Sequence, residues 1–223
     1  MSRAVILWGI WVFSLTVLLE LPAAFVARQL PWPTGWQPSS VSGSLWTGRA
    51  ARVGALAPVD WKIRPWAAQV NLGFQQRIWE LSIHGWPWNW QAQMAPRAVS
   101  ALPAPMFVLD GRWEGRLQVN GAGMSCLRAE GELLGHELAL LSPWLVKLGN
   151  TRIELQCRDG VQLLADLQLA GEHHFKVEAK PQRLQVDGQV EPGAAVIPLL
   201  VQARWLQPAA QAFSKVLGKP LVQ

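Results

Sequence analysis

The chain has 223 residues, half of them hydrophobic and 16% charged, with a net charge of +5. That apolar content excludes a disordered or solvating chain and suffices for a core without metals or staples. The basic residues stand singly (Arg49, Arg52, Lys62, Arg64, Arg77, Arg97, Arg112, Arg116) and form no stripe or helix face. No nucleic-acid partner is therefore expected; a mildly basic surface beside an anionic bilayer is the more natural functional reading, and a plain compositional bias toward Arg over Lys is the alternative.

Ala4 to Leu19 carries no charge, and Leu21 to Ala27 continues apolar after Glu20. A helix over Ala4–Ala27 would be about 36 Å long at about 1.5 Å per residue, enough for a hydrocarbon core of about 30 Å. Pro22 marks the start of its exit. A cleaved leader is the rival reading. Cuts after Ala27, Ala24 or Ala23 leave Phe25, Pro22 or Leu21 where a small residue is needed. Residues 1–27 are therefore expected to be a cytoplasmic tail and an uncleaved transmembrane anchor, with the rest of the chain outside the cytoplasm.

Residues 28–40 include the run LPWPTGWQP, whose three prolines and glycine indicate an extended linker. Residues 41–223 are expected to form one β domain. Val59–Arg64 alternates apolar and polar residues and stops at Pro65. Trp79–Ile83 alternates less cleanly, and Arg116–Asn120 ends at Gly121. Arg152–Cys157 runs into Asp159-Gly160, a hairpin signal, with Leu163–Leu169 as its partner. Phe175–Ala179 and Leu184–Val190 keep the period of two. Such alternation buries one face and wets the other, as antiparallel sheets do. The predicted fold is mainly β, an antiparallel curved sheet or sandwich after an N-terminal transmembrane helix.

At the C-terminus, Leu199, Leu200, Ala203, Leu206, Ala210 and Phe213 recur at helical spacing. Two short helices broken at Pro208 are predicted. They either cap the open end of the sheet or dock a partner, in which case Leu199, Leu200, Trp205 and Phe213 would make the contact. Val41–Gly48 (VSGSLWTG) has an echo in Leu109–Gly115 (LDGRWEG). It reads as a duplicated β unit feeding one sheet system, or as chance recurrence in a glycine-rich β protein. There are 14 Trp and no Tyr. Trp32, Trp36, Trp46, Trp61, Trp66, Trp86, Trp88 and Trp90 recur near turns, and most are expected in the core.

Cys126 and Cys157 lie in predicted strands, where an oxidising compartment permits a disulfide; two separate buried thiols are the alternative. No catalytic or metal motif appears among His84, His136, His173 and His174, and His173-His174 is read as a surface turn. There is no G-x-S-x-G, no phosphate loop and no carboxylate pair to single out. No enzyme activity, cofactor or small-molecule substrate is expected.

A short tail, one apolar segment, a linker and then V-S-G-S-L-W-T-G, carrying Gly43, Leu45, Trp46 and Gly48, resembles the type II secretion system protein N family. The resemblance continues through Trp61 and Pro65-Trp66, Gly111–Gly115, the two cysteines and the Leu148–Gly160 hairpin. It implies an accessory inner-membrane component of the machine that exports folded proteins from the Gram-negative periplasm. It also implies a periplasmic β domain akin to lipid-groove proteins of the envelope, with other secretion-system subunits and inner-membrane lipids as partners. A membrane-anchored lipid-binding groove is the alternative function.

Overall fold

The computed structural model describes residues 3–33, 35–75, 77–99, 108–142, 145–181 and 183–217. Helices α1 (Arg3–Leu19) and α2 (Ala23–Gln29) come first. They are followed by β1 (Pro38–Ser39), β2 (Ser42–Gly43), β3 (Thr47–Ala50), β4 (Arg52–Val53), β5 (Val59–Arg64), β6 (Ala67–Phe74), β7 (Arg77–Trp86) and β8 (Asn89–Val99). Then come β9 (Val108–Gly115), β10 (Leu117–Ala122), β11 (Ser125–Glu130), β12 (Glu132–Ser142), β13 (Val146–Cys157), β14 (Val161–Leu169), β15 (His173–Lys180) and β16 (Arg183–Val190). Helix α3 (Ile197–Gln202) and β17 (Ala212–Leu217) close the described chain.

Two antiparallel sheets carry the fold. The first has eight strands in the order β11-β10-β8-β7-β6-β5-β3-β2, and the second has seven in the order β17-β16-β15-β14-β13-β12-β9; β1 and β4 form a separate pair. Alternation decides which face is dry. Across the first sheet Trp61, Val70, Leu81, Met94 and Leu117 stand in one row, and Lys62, Gln69, Ser82, Gln93 and Gln118 stand on the other face. Across the second, Ile153, Ala165, Val177 and Val186 oppose Arg152, Asp166, Lys176 and Asp187.

The apolar faces meet where Trp79 and Leu117 of the first sheet pack with Leu133 of the second, flanked by Ile153 and Leu155. Trp79 meets Trp113 edge-on, with ring centroids 5.5 Å apart. Arg77 Nη2 donates to Gly111 O at 3.0 Å, and Leu109 N–H donates to Gln75 Oε1 at 2.9 Å, which ties β9 to the first sheet. A disulfide joins Cys126 on β11 to Cys157 on β13, with Cα atoms 5.4 Å apart.

The chain passes between the sheets in one long hairpin with two corners. Strand β9 becomes β10 across Arg116, and β11 becomes β12 across Gly131. Gly115 (φ +95°) and Gly131 (φ +82°) turn these corners in a backbone region that side chains resist. A Cβ on Gly131 would lie 2.3 Å from Arg116 O, and one on Gly115 would lie 2.2 Å from Glu132 O. Arg116 N–H donates to Glu132 O at 3.0 Å, so pairing survives the bend.

The second sheet has its own core at the other end. Val146, Phe175, Val190, Ala194, Val196 and Leu206 are buried together, with Leu199 and Leu200 of α3 packed against them.

Three expectations need correction. The apolar N-terminal stretch is not one helix from Ala4 to Ala27. It breaks at Glu20–Pro22, and no helix among the described residues is long and apolar enough to cross a membrane. Pro22 is extended (φ −66°, ψ 129°) and bridges to Ser44, and Leu45 N–H donates to Leu21 O at 3.0 Å, so the chain turns onto the sheet there.

The second C-terminal helix is instead strand β17. Pro208 ends helical structure, and A-F-S-K-V-L, with apolar pairs at Ala212-Phe213 and Val216-Leu217, shows no period of two and suits a helix by its spacing alone. The open edge of β16 decides between the two, because pairing with it satisfies the backbone of both strands. The echoed motifs are also not equivalent. VSGSLWTG is the β2–β3 hairpin of the first sheet, whereas Leu109–Gly115 is a single edge strand of the second.

Candidate interaction surfaces

The V-S-G-S-L-W-T-G segment is explained by one side chain. Trp61 lies over Gly48, where a Cβ would sit 2.4 Å from the ring. Its Nε1–H donates to Leu45 O at 3.1 Å and Ser44 O at 3.3 Å, which holds the β2–β3 turn. Trp46 is half-buried in that turn, and its carbonyl accepts from Ile63 N–H at 2.6 Å. Gly43 closes the turn from the other strand, paired with Gly48.

The same device recurs three strands away, on β8. Trp90 lies over Gly121, and its Nε1–H donates to Gly123 O at 3.0 Å. An indole over a glycine in the neighbouring strand covers backbone that would otherwise be exposed, while its one donor fixes the adjacent turn.

Register brings these turns to one end of the first sheet. The β5–β6 turn (Pro65-Trp66), the β7–β8 turn (Pro87-Trp88) and the β10–β11 turn (Gly123-Met124) lie there beside the β2–β3 turn. Gly85 N–H donates to Trp66 O at 2.9 Å, and Gly123 N–H donates to Pro87 O at 2.6 Å, so neighbouring turns are laced together. Trp86 and Trp88 stack with centroids 5.3 Å apart and planes 4° apart. Here the expectation that most turn-associated Trp residues are core fails. Trp36, Trp66, Trp86 and Trp88 are exposed, and Trp79 is the buried Trp among the described residues. Alternation cannot find these residues, because a turn has no inner face.

The polar face of the second sheet forms a trough of about 800 Å³ lined by Asn150, Arg152, Asp166, Lys176, Glu178 and Asp187, among others. Several of its charges are paired. Arg152 meets Glu132 at 3.1 Å, and His174 Nε2 lies 2.8 Å from Asp166 Oδ2. Hydrogen bonds from Ser214 and Gln185 hold the Asp187 carboxyl below its ordinary value. Among the described residues, no group of three His, Cys, Asp or Glu side chains could hold a metal ion. Opposite charges laddered across neighbouring strands are the pattern of a solvated sheet face.

His173 is not in a surface turn. It opens β15, is 5% exposed and stacks on Phe175 at 4.8 Å. Its Nε2 faces Leu148 O at 3.1 Å, so that nitrogen carries the proton and Nδ1 is left buried without a partner. Burial lowers its pKa below 6.5, against smaller opposing effects of the Leu148 carbonyl and Glu172. At the C-terminus, α3 sets Leu199 and Leu200 on the core, and Trp205 meets Phe213 edge-on at 5.9 Å.

Residues 34–206 match the family model described as Type II secretion system (T2SS), protein N. Neither a curated protein nor a solved structure matches the chain.

Proposed function

Since the chain belongs to the type II secretion system protein N family, we propose that it is an accessory inner-membrane component supporting export of folded proteins across the outer membrane. Helix α1 would hold it in the bilayer, and the β region, residues 41–223, would work on the periplasmic side through protein–protein contacts. The match over residues 34–206, which contain most of both sheets, carries this reading.

Several features support the anchor. Helix α1 has 17 residues with no acidic residue in its first turn and no basic residue in its last. It exposes Leu7, Trp8, Ile10, Trp11 and Phe13, which water would not tolerate together. For the contacts, β17 offers an edge whose Val216 and Leu217 are exposed, a strand onto which a partner's extended segment can add. Phe213 lies on that strand and meets Trp205, and Leu199 and Leu200 share its core. No catalytic step is proposed.

Photocrosslinkers placed on β17 in the intact membrane should recover other secretion-system subunits. Recovery of none under mild detergent would sink the contact reading. Protease added to spheroplasts should digest the β region; full protection would sink the topology.

A lipid-binding groove is the second reading. It is favoured by the apolar rows of the two sheets, where Val70, Leu81, Ile83 and Val177 stay only half-buried. Native mass spectrometry of gently purified protein should then show bound phospholipid, and a clean apo mass would remove it.

A further inference from the structure

Apart from Trp8 and Trp11 on α1 and Trp36 beside Gly54, the exposed Trp residues gather in one place. Trp66 (54% exposed), Trp86 (49%), Trp88 (69%), Met124 (102%) and Leu127 (66%) all belong to the laced turns at one end of the first sheet or to the strand beside them. Among the described residues, the indoles of Trp66, Trp86 and Trp88 make no hydrogen bond, whereas those of Trp61 and Trp90 hold the turns beneath them. An indole wants an apolar body around its ring and a polar partner for its N–H, and the bilayer interface supplies both.

Two further observations name the occupant. The first is position. The end of α1 joins the sheet at this same place, through Leu45 N–H to Leu21 O and the Pro22–Ser44 bridge. The Trp-bearing turns therefore lie on the side of the sheet from which the apolar helix departs.

The second is charge. The polar row nearest the turns reads Arg64, Ala67, His84, Gln91, Asn120 and Arg128. The row two residues further from them holds Lys62 and Glu130. The row beyond carries Asp60 and Glu80, each paired with an arginine. Arg128 is paired with Glu130, and Arg64 has no ion-pair partner among the described residues. Glu20 at the α1 exit is the carboxylate on this side. Arg64 and Lys62 are thus the cations in these rows without an ion-pair partner among the described residues, and both lie toward the turns, where an anionic lipid surface would pair with them.

We propose that the turn end of the first sheet is a second membrane contact. Trp66, Trp86, Trp88 and Met124 sit in the interface of the bilayer that holds α1, and Arg64 lies among the lipid headgroups. This rests on α1 being the anchor. Two points of attachment fix the direction of the β unit, whereas a helix alone would leave it swinging on its exit turn. The far edge of the assembly, β17, is then held at a set height above the bilayer.

The test uses the full chain reconstituted into vesicles of phosphatidylethanolamine and phosphatidylglycerol. An environment-sensitive fluorophore is placed at Met124→Cys, where full exposure leaves folding undisturbed, and in a second sample at Phe74→Cys. Phe74 lies at the opposite end of β6, about 23 Å along the strand. The Met124 probe should shift to the blue and lose emission when headgroup-region quenchers are added, and the Phe74 probe should do neither. Trp66→Ser with Trp88→Ser, both at exposed sites, should return the Met124 probe toward its aqueous emission.

Equal, water-like emission from both probes on vesicle-bound protein overturns the second contact. Alkaline carbonate extraction reads the anchor separately. Protein stripped from the vesicles counts against α1, and the probe reading taken before extraction still decides the turns.

Discussion

The two sheets use the same period-two alternation, yet they close their apolar faces differently. The second sheet turns one end of its dry face under α3 and the segment after it, which buries six residues around Phe175 and Leu206. Among the described residues, the first sheet has no helix of that kind. Its central buried residue, Trp79, is covered by Leu133 and Trp113 from the other sheet. One sheet largely completes itself, and the other is completed by its neighbour. Such an arrangement predicts two levels of stability in one chain, with the first sheet opening more readily.

The comparison can be broken in four ways. Phe175→Ala should have the largest effect. The ring sits between His173 and Phe213 in the closed core, and its loss should cost about 3–5 kcal/mol. Urea unfolding with both sheets lost together would show that the second sheet supports the first. Loss of the second sheet alone would invert the hierarchy.

Next in size is the double variant Cys126→Ala with Cys157→Ala. The cysteines lie 31 residues apart, and releasing that loop should cost about 3–4 kcal/mol in the chain-entropy model. Amide exchange should then rise in β5–β8 before β13–β16, and a uniform rise would remove the distinction between the sheets.

Gly131→Ala should cost about 1–2 kcal/mol for the left-handed backbone alone. The added cost of the clash with Arg116 O should localise to the corner. Near-wild-type stability would mean that the two sheets need no sharp passage between them.

The smallest expected effect is the pH response of His173. Its folded pKa lies below the ordinary 6.5, so below pH about 6.5 the unfolded chain binds a proton that the folded chain refuses. Stability is therefore full above that value and declines as pH falls from it toward the folded pKa. His173→Gln should flatten the thermal midpoint across this range. A slope unchanged by the substitution would assign the response to other groups. Because His173 sits in the closed core, the decline should appear in the second sheet's exchange rates first.

Much of this architecture is legible in the chain itself. The strands Val59–Arg64, Arg152–Cys157 and Leu184–Val190 appear where alternation puts them, and Asp159-Gly160 turns with positive φ at both residues. The family motif is also readable, although its reason is not. Only the structure shows that Gly48 is glycine because Trp61 lies on it. Ala212–Leu217 shows no period of two, and it is the open edge of β16 that makes it a strand. The outer Trp residues escape notice because a composition count cannot separate Trp79, sealed between sheets, from Trp88, standing on a turn.

The sequence by itself determined the antiparallel β character, the polar and apolar faces and most of the turns, since these are written in neighbouring residues. The tertiary structure decided that there are two sheets and where the chain crosses between them. Leu117–Ala122 pairs with β8, while the residues just before it, on β9, pair with β12. Such a choice depends on which distant edge is open when the strand arrives. Local alternation, identical on both sides of the corner, carries no record of that edge.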